Sequence, residues 1–334
     1  MGVEGTYRYE REKVMTLFQC INDMFSRELA AHGRAFVNYQ ALSGVEVKDM
    51  TIDGFPAKLF FNPARVRSVM ADVSPEALQK RACFLCPDGL EPLQLTTVWD
   101  SPTGQTYFIR VNPFPIFNHH FTISSSIHER QTFAPHMESM LHLAQAMPEM
   151  SIFYNGPMCG ASAPDHMHFQ AVPRHSMPIE DYFSTNYANA VLVQESDLQS
   201  HLAALEKVLS MASIPENATQ TGSLTAGASH TEEWEPRWNI ISWYEPESNS
   251  PQDGLTATSG LTSNSRRRSF NTIVFFRRES RPQCFFAPEE ERILFSPATV
   301  EMGGIGIVAN RESFDRLTPE KLRDIIREVA DEIV

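Results

Sequence analysis

Several absences narrow the field before any motif is considered. No apolar run reaches the eighteen or more residues that a membrane-spanning helix requires, so an integral membrane protein is not expected. The N-terminal stretch MGVEGTYRYEREK carries charges where a signal peptide would carry its apolar segment, which points to a cytoplasmic chain. Cysteine is scarce: five among 334 residues, an odd number that argues against a disulfide framework. Basic charge is scarce as well. The 28 Lys and Arg stand against 41 Asp and Glu, and the net charge of −13 repels a nucleic-acid backbone unless a local patch reverses the field. The one dense basic patch, Arg266 to Arg268, lies in a Ser/Thr-rich stretch and reads as a solvated loop. Neither nucleic acid nor a membrane is an expected partner.

With 42% hydrophobic residues, the chain has enough apolar side chains for a real core. Val14, Phe18, Ile21 and Phe25, with Leu17 and Met24 beside them, predict an N-terminal helix over 10–31, stopped at Gly33. From there to about residue 172, short β-branched and aromatic runs divided by Pro, Gly and Asn read as strands: AKLFF, TTVWD, QTYFIRV, HHFTISS, SIFYN and HMHFQAV. A helix over 136–147 interrupts them. A further helix is marked by Leu198, Leu202, Leu205 and Leu209, and polar stretches at 214–233 and 245–269 read as flexible loops. WNIISWY, FNTIVFF and QCFF then read as strands, and Thr318 with Pro319 opens a final helix. The expected fold class is α+β, an antiparallel sheet with flanking helices. The expected division is a catalytic half, 1–180, and a second α+β half, 181–334.

The most informative segment is FYNGPMCGASAPDHMHFQAVPR, residues 153–174. If its end is a strand, the period of two puts His166, His168 and Gln170 on one face, with Met167, Phe169 and Ala171 on the other. The small residues Gly160 to Ser162 would let backbone N–H groups approach a phosphate closely, and Ser162 could add a hydroxyl. A neutral imidazole beside such a cradle can attack phosphorus and form a covalent intermediate, and His168, the middle residue of the row, is the candidate nucleophile. Gln170 can hydrogen-bond phosphoryl oxygens but cannot give up a proton at pH 7. Upstream, Cys83-Phe84-Leu85-Cys86 has zinc-ligand spacing, although a redox pair or two inert core thiols would read the same way.

The row His166-Met167-His168-Phe169-Gln170 resembles the histidine-triad superfamily. Within it, HxHxQ in place of HxHxH resembles the branch of nucleotidyltransferases and phosphorylases: galactose-1-phosphate uridylyltransferases, diadenosine tetraphosphate phosphorylases and GDP-hexose phosphorylases. YN, GAS and HFQA look most like the last of these, whereas GAS-x-x-DH also resembles the diadenosine tetraphosphate enzymes. The spacing of Asn112, His120 and His128, eight apart each time, is a second point of similarity.

The resemblance implies a histidine-triad-like fold, with two related halves, and a nucleotidyl group passed through His168. The donor would be a nucleoside diphosphate sugar or a dinucleoside polyphosphate, and the acceptor phosphate or a sugar phosphate. It also implies a structural zinc held by Cys83, Cys86, His128 and His166. Asn155, Gly160, Ser162, Asn112, His120 and Arg65 would meet nucleotide or phosphate, and a homodimer is the assembly it suggests. A hydrolase of the same superfamily and a non-catalytic zinc-stabilised nucleotide-binding protein are the rival readings. Arg277, Arg278 and Arg281 read as a solvated edge strand rather than as phosphate ligands.

Overall fold

Strands from both halves of the chain combine into two sheets. The computed structural model describes residues 6–8, 15–66, 73–91, 93–212, 235–247 and 267–331. The larger sheet has nine strands, in the spatial order β1 (Thr6–Arg8), β4 (Thr96–Asp100), β5 (Thr106–Val111), β6 (Phe121–Ser125), β8 (His168–Pro173), β7 (Met150–Asn155), β10 (Trp238–Glu245), β11 (Ser269–Phe276) and β9 (Ala190–Glu195). Among the described residues of this sheet, only the β1–β4 contact is parallel. The smaller sheet holds β2 (Glu46–Ile52), β3 (Phe55–Phe61) and β12 (Ile305–Val308), with β12 parallel to β3.

The halves meet where β7 pairs with β10, Ile152 to Asn155 facing Asn239 to Ser242. Both faces of the large sheet are covered, and β7, β10 and β11 are buried along almost their whole length. On one face Ile152, Tyr154, Met167, Phe169 and Ala171 join a core shared with α1 (Leu17–Ala30) and α4 (Met137–Ala146). Phe153, Val172, Ile241 and Ile273 face the other way, into a core closed by the small sheet, α7 (Thr299–Met302) and α9 (Pro319–Val329). Further helices among the described residues are α2 (Arg34–Ala41), α3 (Pro75–Lys80), α5 (Thr185–Ala188), α6 (Leu198–Leu209) and α8 (Arg311–Arg316).

The expected α+β class with an antiparallel sheet is what the chain adopts, and most of the strand readings hold. α1 is shorter than predicted, because Thr16 caps it: its hydroxyl accepts from the Gln19 N–H at 3.2 Å, and the Gln19 side chain returns the bond to the Thr16 N–H at 2.8 Å. Residues 10–14 of that prediction lie outside the described residues, as do 214–233 and 248–266 of the two loop predictions. QCFF is not a strand. Gln283–Phe285 form a 3-10 turn behind Pro282.

The reading of Arg277 as part of a solvated edge is also overturned. β11 lies between β10 and β9, and Arg277, just past its end, is 2% exposed. Its guanidinium donates to Asn239 Oδ1 at 2.5 Å and to the carbonyls of Pro297 and Val329 at 2.9 and 3.2 Å. A buried guanidinium demands such partners, and a strand pattern gives no hint of them.

Glu28 offers a test of the packing beneath α1. Burial pushes its carboxyl up to about 7, against a lowering by the Leu95 N–H bond at 2.8 Å. Folding therefore takes up a proton between about pH 4.5 and 7: stability falls as pH rises through that window, and the loss is complete above it. Glu28→Gln should stabilise the chain by roughly 2–3 kcal/mol at pH 8 and change little near pH 4.5. Urea unfolding at the two pH values checks this, and equal effects at both would remove titration as the cause.

Candidate active site

The connection from β6 to α4 runs beside the approach to β8 and brings three predicted groups together. The Met167 N–H donates to the Glu129 carbonyl at 2.7 Å, the Ser125 N–H to the Met167 carbonyl at 2.9 Å, and the Gln131 N–H to the Pro164 carbonyl at 3.1 Å. β8 begins at His168, so His166 and Met167 precede it. The polar row expected from His166 to Gln170 thus divides. His168 and Gln170 line a cavity, whereas His166 turns to the cysteines.

At the cysteines, Cys83 Sγ lies 3.2 Å from His166 Nδ1, and Cys86 Sγ lies 3.3 Å from His128 Nδ1 and 3.5 Å from His166 Nδ1. All four ligand atoms fall within 4.8 Å of one another. Tetrahedral zinc, with bonds of about 2.3 Å to sulfur and 2.0 Å to nitrogen, would hold sulfur and nitrogen about 3.5 Å apart. The donor set therefore fits such an ion. His166 Nε2 is 2.9 Å from the Ser125 carbonyl, a bond that puts the proton on Nε2 and leaves Nδ1 as the ligand atom. Burial raises the Cys83 thiol, but bonds from His166 and from the backbone of Leu85 and Cys86 outweigh it and bring the group to about 6. Thiolate is the form that binds metal.

The cavity measures about 750 Å³ and takes its walls from both halves of the chain. His168 stands in it, 4% exposed, with Nδ1 2.8 Å from the His166 carbonyl. The proton belongs on Nδ1, so Nε2 keeps its lone pair. Burial lowers the imidazole to about 4, which makes it neutral near pH 7.

Gln170 is oriented from behind. His120 Nδ1 accepts from the Ile116 N–H at 3.1 Å, so its Nε2 carries the proton and donates to Gln170 Oε1 at 2.9 Å. Asn112 Nδ2 approaches the same oxygen at 3.5 Å. With its oxygen engaged, Gln170 offers its amide N–H groups to the cavity. His120 itself is fully buried, and burial lowers it to about 3. Asn155 follows the same logic: its Oδ1 accepts from the Thr299 N–H at 2.9 Å and from Asn239 Nδ2 at 3.3 Å, leaving its own amide N–H groups to face the cavity.

Ser162, Gly160 and Arg65 also line the cavity. Arg65 donates to the Phe114 carbonyl at 2.5 Å. Gly160 has φ +97°, and a Cβ there would lie 2.4 Å from that of Ala298, so contact with the second half requires glycine as much as any bound anion would.

Three arginines in the wall were outside the predicted set: Arg81, Arg110 and Arg281. Arg81 pairs with Asp165 at 2.6 Å, Arg110 donates to the Leu85 carbonyl at 2.7 Å, and Arg281 stacks on Phe285 at 4.3 Å. They come from distant segments, and no local pattern in the sequence links them. Gln131, Asn239 and Thr299 were missed for the same reason. His119, without an assigned role in the sequence, stacks on Phe25 at 4.3 Å.

The antiparallel sheet with its flanking helices is a histidine-triad-like fold, with a Cys2His2 cluster at the approach to β8 and a histidine on its first residue. A solved structure with a similar fold is yeast Ap4A phosphorylase Apa2, which matches with a TM-score of 0.54 at 13% identity, over 93% of this chain and 97% of that one. The same yeast enzyme in complex with Ap4A matches with a TM-score of 0.50 at 13% identity, over 92% and 97%. At that identity the likeness is one of fold. A family model described as a domain of unknown function (DUF4922) matches residues 24–173, from within α1 to the end of β8. No curated protein matches the sequence.

Proposed function

We propose that this chain is a nucleotidyltransferase or phosphorylase in which His168 carries the nucleotide. His168 Nε2 attacks the α-phosphorus of a dinucleoside polyphosphate or nucleoside diphosphate sugar, the bond to the bridging oxygen breaks, and a phosphorylated product leaves. Inorganic phosphate or a sugar phosphate then attacks the same phosphorus and frees His168. The observation that carries this reading is the placement of His168: its Nδ1 lies 2.8 Å from the His166 carbonyl, which leaves Nε2 as the free nitrogen of a ring that lines a large cavity.

The surrounding residues suit the two displacements. Gln170 and Asn155 supply amide donors for the phosphoryl oxygens, held in that orientation by His120, Asn112 and Thr299. Ser162 adds a hydroxyl, and Arg65, Arg81, Arg110 and Arg281 supply positive charge inside a chain whose net charge is −13. Because Gln170 cannot give up a proton, the leaving group must depart without an acid, as a phosphate does and an alkoxide does not. Transfer to phosphate is therefore favoured over reactions that release an alcohol. The fold of the Ap4A phosphorylase supports a dinucleoside polyphosphate as one substrate class.

Cys83, Cys86, His128 and His166 would hold zinc in a structural role, since four protein ligands leave no open coordination position. Such an ion would tie the CxxC loop to the start of β8.

Incubating the protein with UDP-, GDP- and ADP-sugars or diadenosine tetraphosphate, together with labelled inorganic phosphate, tests the reading. The expected result is label in a nucleoside diphosphate product. Steady release of nucleoside monophosphate with no incorporated label would establish a hydrolase instead.

A further inference from the structure

Between β7 and β8 the sheet is forked, and one buried side chain occupies the fork. The two strands pair from Met150 with Pro173 as far as Phe153 with Gln170. Two steps further the register would set Asn155 opposite His168, yet both residues, still within their strands, lack that rung. Each strand keeps its other neighbour: His168 pairs with Ser124 of β6, and Asn155 with Asn239 of β10. The gap belongs to Gln131. Its Oε1 accepts from the His168 N–H at 2.8 Å, and its Nε2 donates to the carbonyls of His168 and Asn155 at 3.0 and 2.9 Å. Gln131 is 1% exposed, and both of its polar atoms are fully engaged.

We infer that Gln131 is a positioning residue for the reaction: its amide replaces the missing rung and fixes the separation and orientation of His168 and Asn155 across the fork. This rests on the reading of His168 as nucleophile. A directly hydrogen-bonded rung would draw the two backbones to ordinary strand spacing, about 4.8 Å, with no amide between them. The wedge holds them further apart, so a phosphoryl group is received between an imidazole on one prong and an amide on the other. It also pins the backbone of His168 at both N–H and carbonyl, and the ring, tied to the His166 carbonyl, is thereby held in one direction. Positioning at this scale governs the chemical step more than binding, because a displaced nucleophile loses rate while the rest of the site still holds the substrate.

The test uses Gln131→Met, which fills similar volume without hydrogen bonds, and Gln131→Glu, which keeps an acceptor for the His168 N–H but loses both donors. The substrate is diadenosine tetraphosphate or a GDP-sugar, whichever the wild type turns over. The Met variant should lose at least about 100-fold in kcat with KM within about threefold, and the Glu variant should fall between it and the wild type. Amide exchange at His168 should rise by a similar factor while Phe169 and Ala171 stay protected. Wild-type kcat in either folded variant, or a kcat lowered only in proportion to the unfolded fraction, would overturn the inference. If the wild type turns over none of these substrates, the proposed function falls, and exchange at His168 decides the positioning role alone: selective loss of protection upholds it and an unchanged pattern refutes it. Should Gln131→Met not fold, Gln131→Glu carries both measurements.

Discussion

His168→Ala should abolish nucleotidyl transfer, by at least about 10⁴-fold in kcat, and leave no labelled protein when the wild type is trapped with α-labelled substrate. The trapped wild-type adduct should be acid-labile and base-stable, as a phosphoramidate is. The size of the loss follows from the mechanism: without Nε2 there is no covalent path, and the amide donors and arginines that remain can bind substrate but form no bond to phosphorus. Binding should therefore survive within a few-fold, measurable by calorimetry with a nucleoside monophosphate. The same variant should keep its metal, because His168 contributes no atom to the Cys83, Cys86, His128 and His166 cluster and its Nδ1 is bound to a backbone carbonyl. Undiminished transfer would end the case for a nucleotidyl-histidine, and metal lost along with activity would mean that His168 is itself a ligand.

Cys83→Ser should have the second largest effect, and on a different quantity. As purified, the wild type should carry about one zinc per chain by elemental analysis, and the variant about a tenth of that or less. Its thermal midpoint should drop by about 10 °C or more, since the cluster ties the CxxC loop to the residues just before β8, and only the ion offsets the cost of gathering two thiolates. Activity should fall along with the folded fraction and the order of β8, while a strong chelator added to the wild type should reproduce the loss slowly. A metal-free wild type with an unchanged midpoint in Cys83→Ser would show two ordinary thiols instead.

A good part of this site is legible in the linear sequence because its chemistry is local. His166, His168 and Gln170 lie within five residues, and Cys83 and Cys86 within four, so spacing alone suggests a nucleophile and a metal pair. The alternation of Met167, Phe169 and Ala171 is visible for the same reason, and all three are core residues. The period-two reading began two residues too early, at His166, whereas β8 begins at His168. A strand and the loop that feeds it carry similar side chains, and the Ser125 and Glu129 contacts that end the regular geometry come from elsewhere in the chain.

Arg277 shows the limit most clearly. A charged residue after a strand is ordinarily solvated, and only the crowding of Asn239, Pro297 and Val329 around it turns it into an interior group.

By itself the sequence determined the α+β class and the main strands and capped helices, and it singled out the candidate residues for attack on phosphorus, because propensity, periodicity and short spacings act between neighbours. Tertiary structure decided which nitrogen of His168 is free, which way Gln170 and Asn155 present their amides, that three further arginines stand in the cavity wall, and that Gln131 splits the sheet between β7 and β8. The tautomer of His168 rests on a bond to His166 two residues away, but the other outcomes depend on hydrogen bonds between residues tens to hundreds of positions apart, whose partners are chosen by the packing of the two halves and leave no local trace.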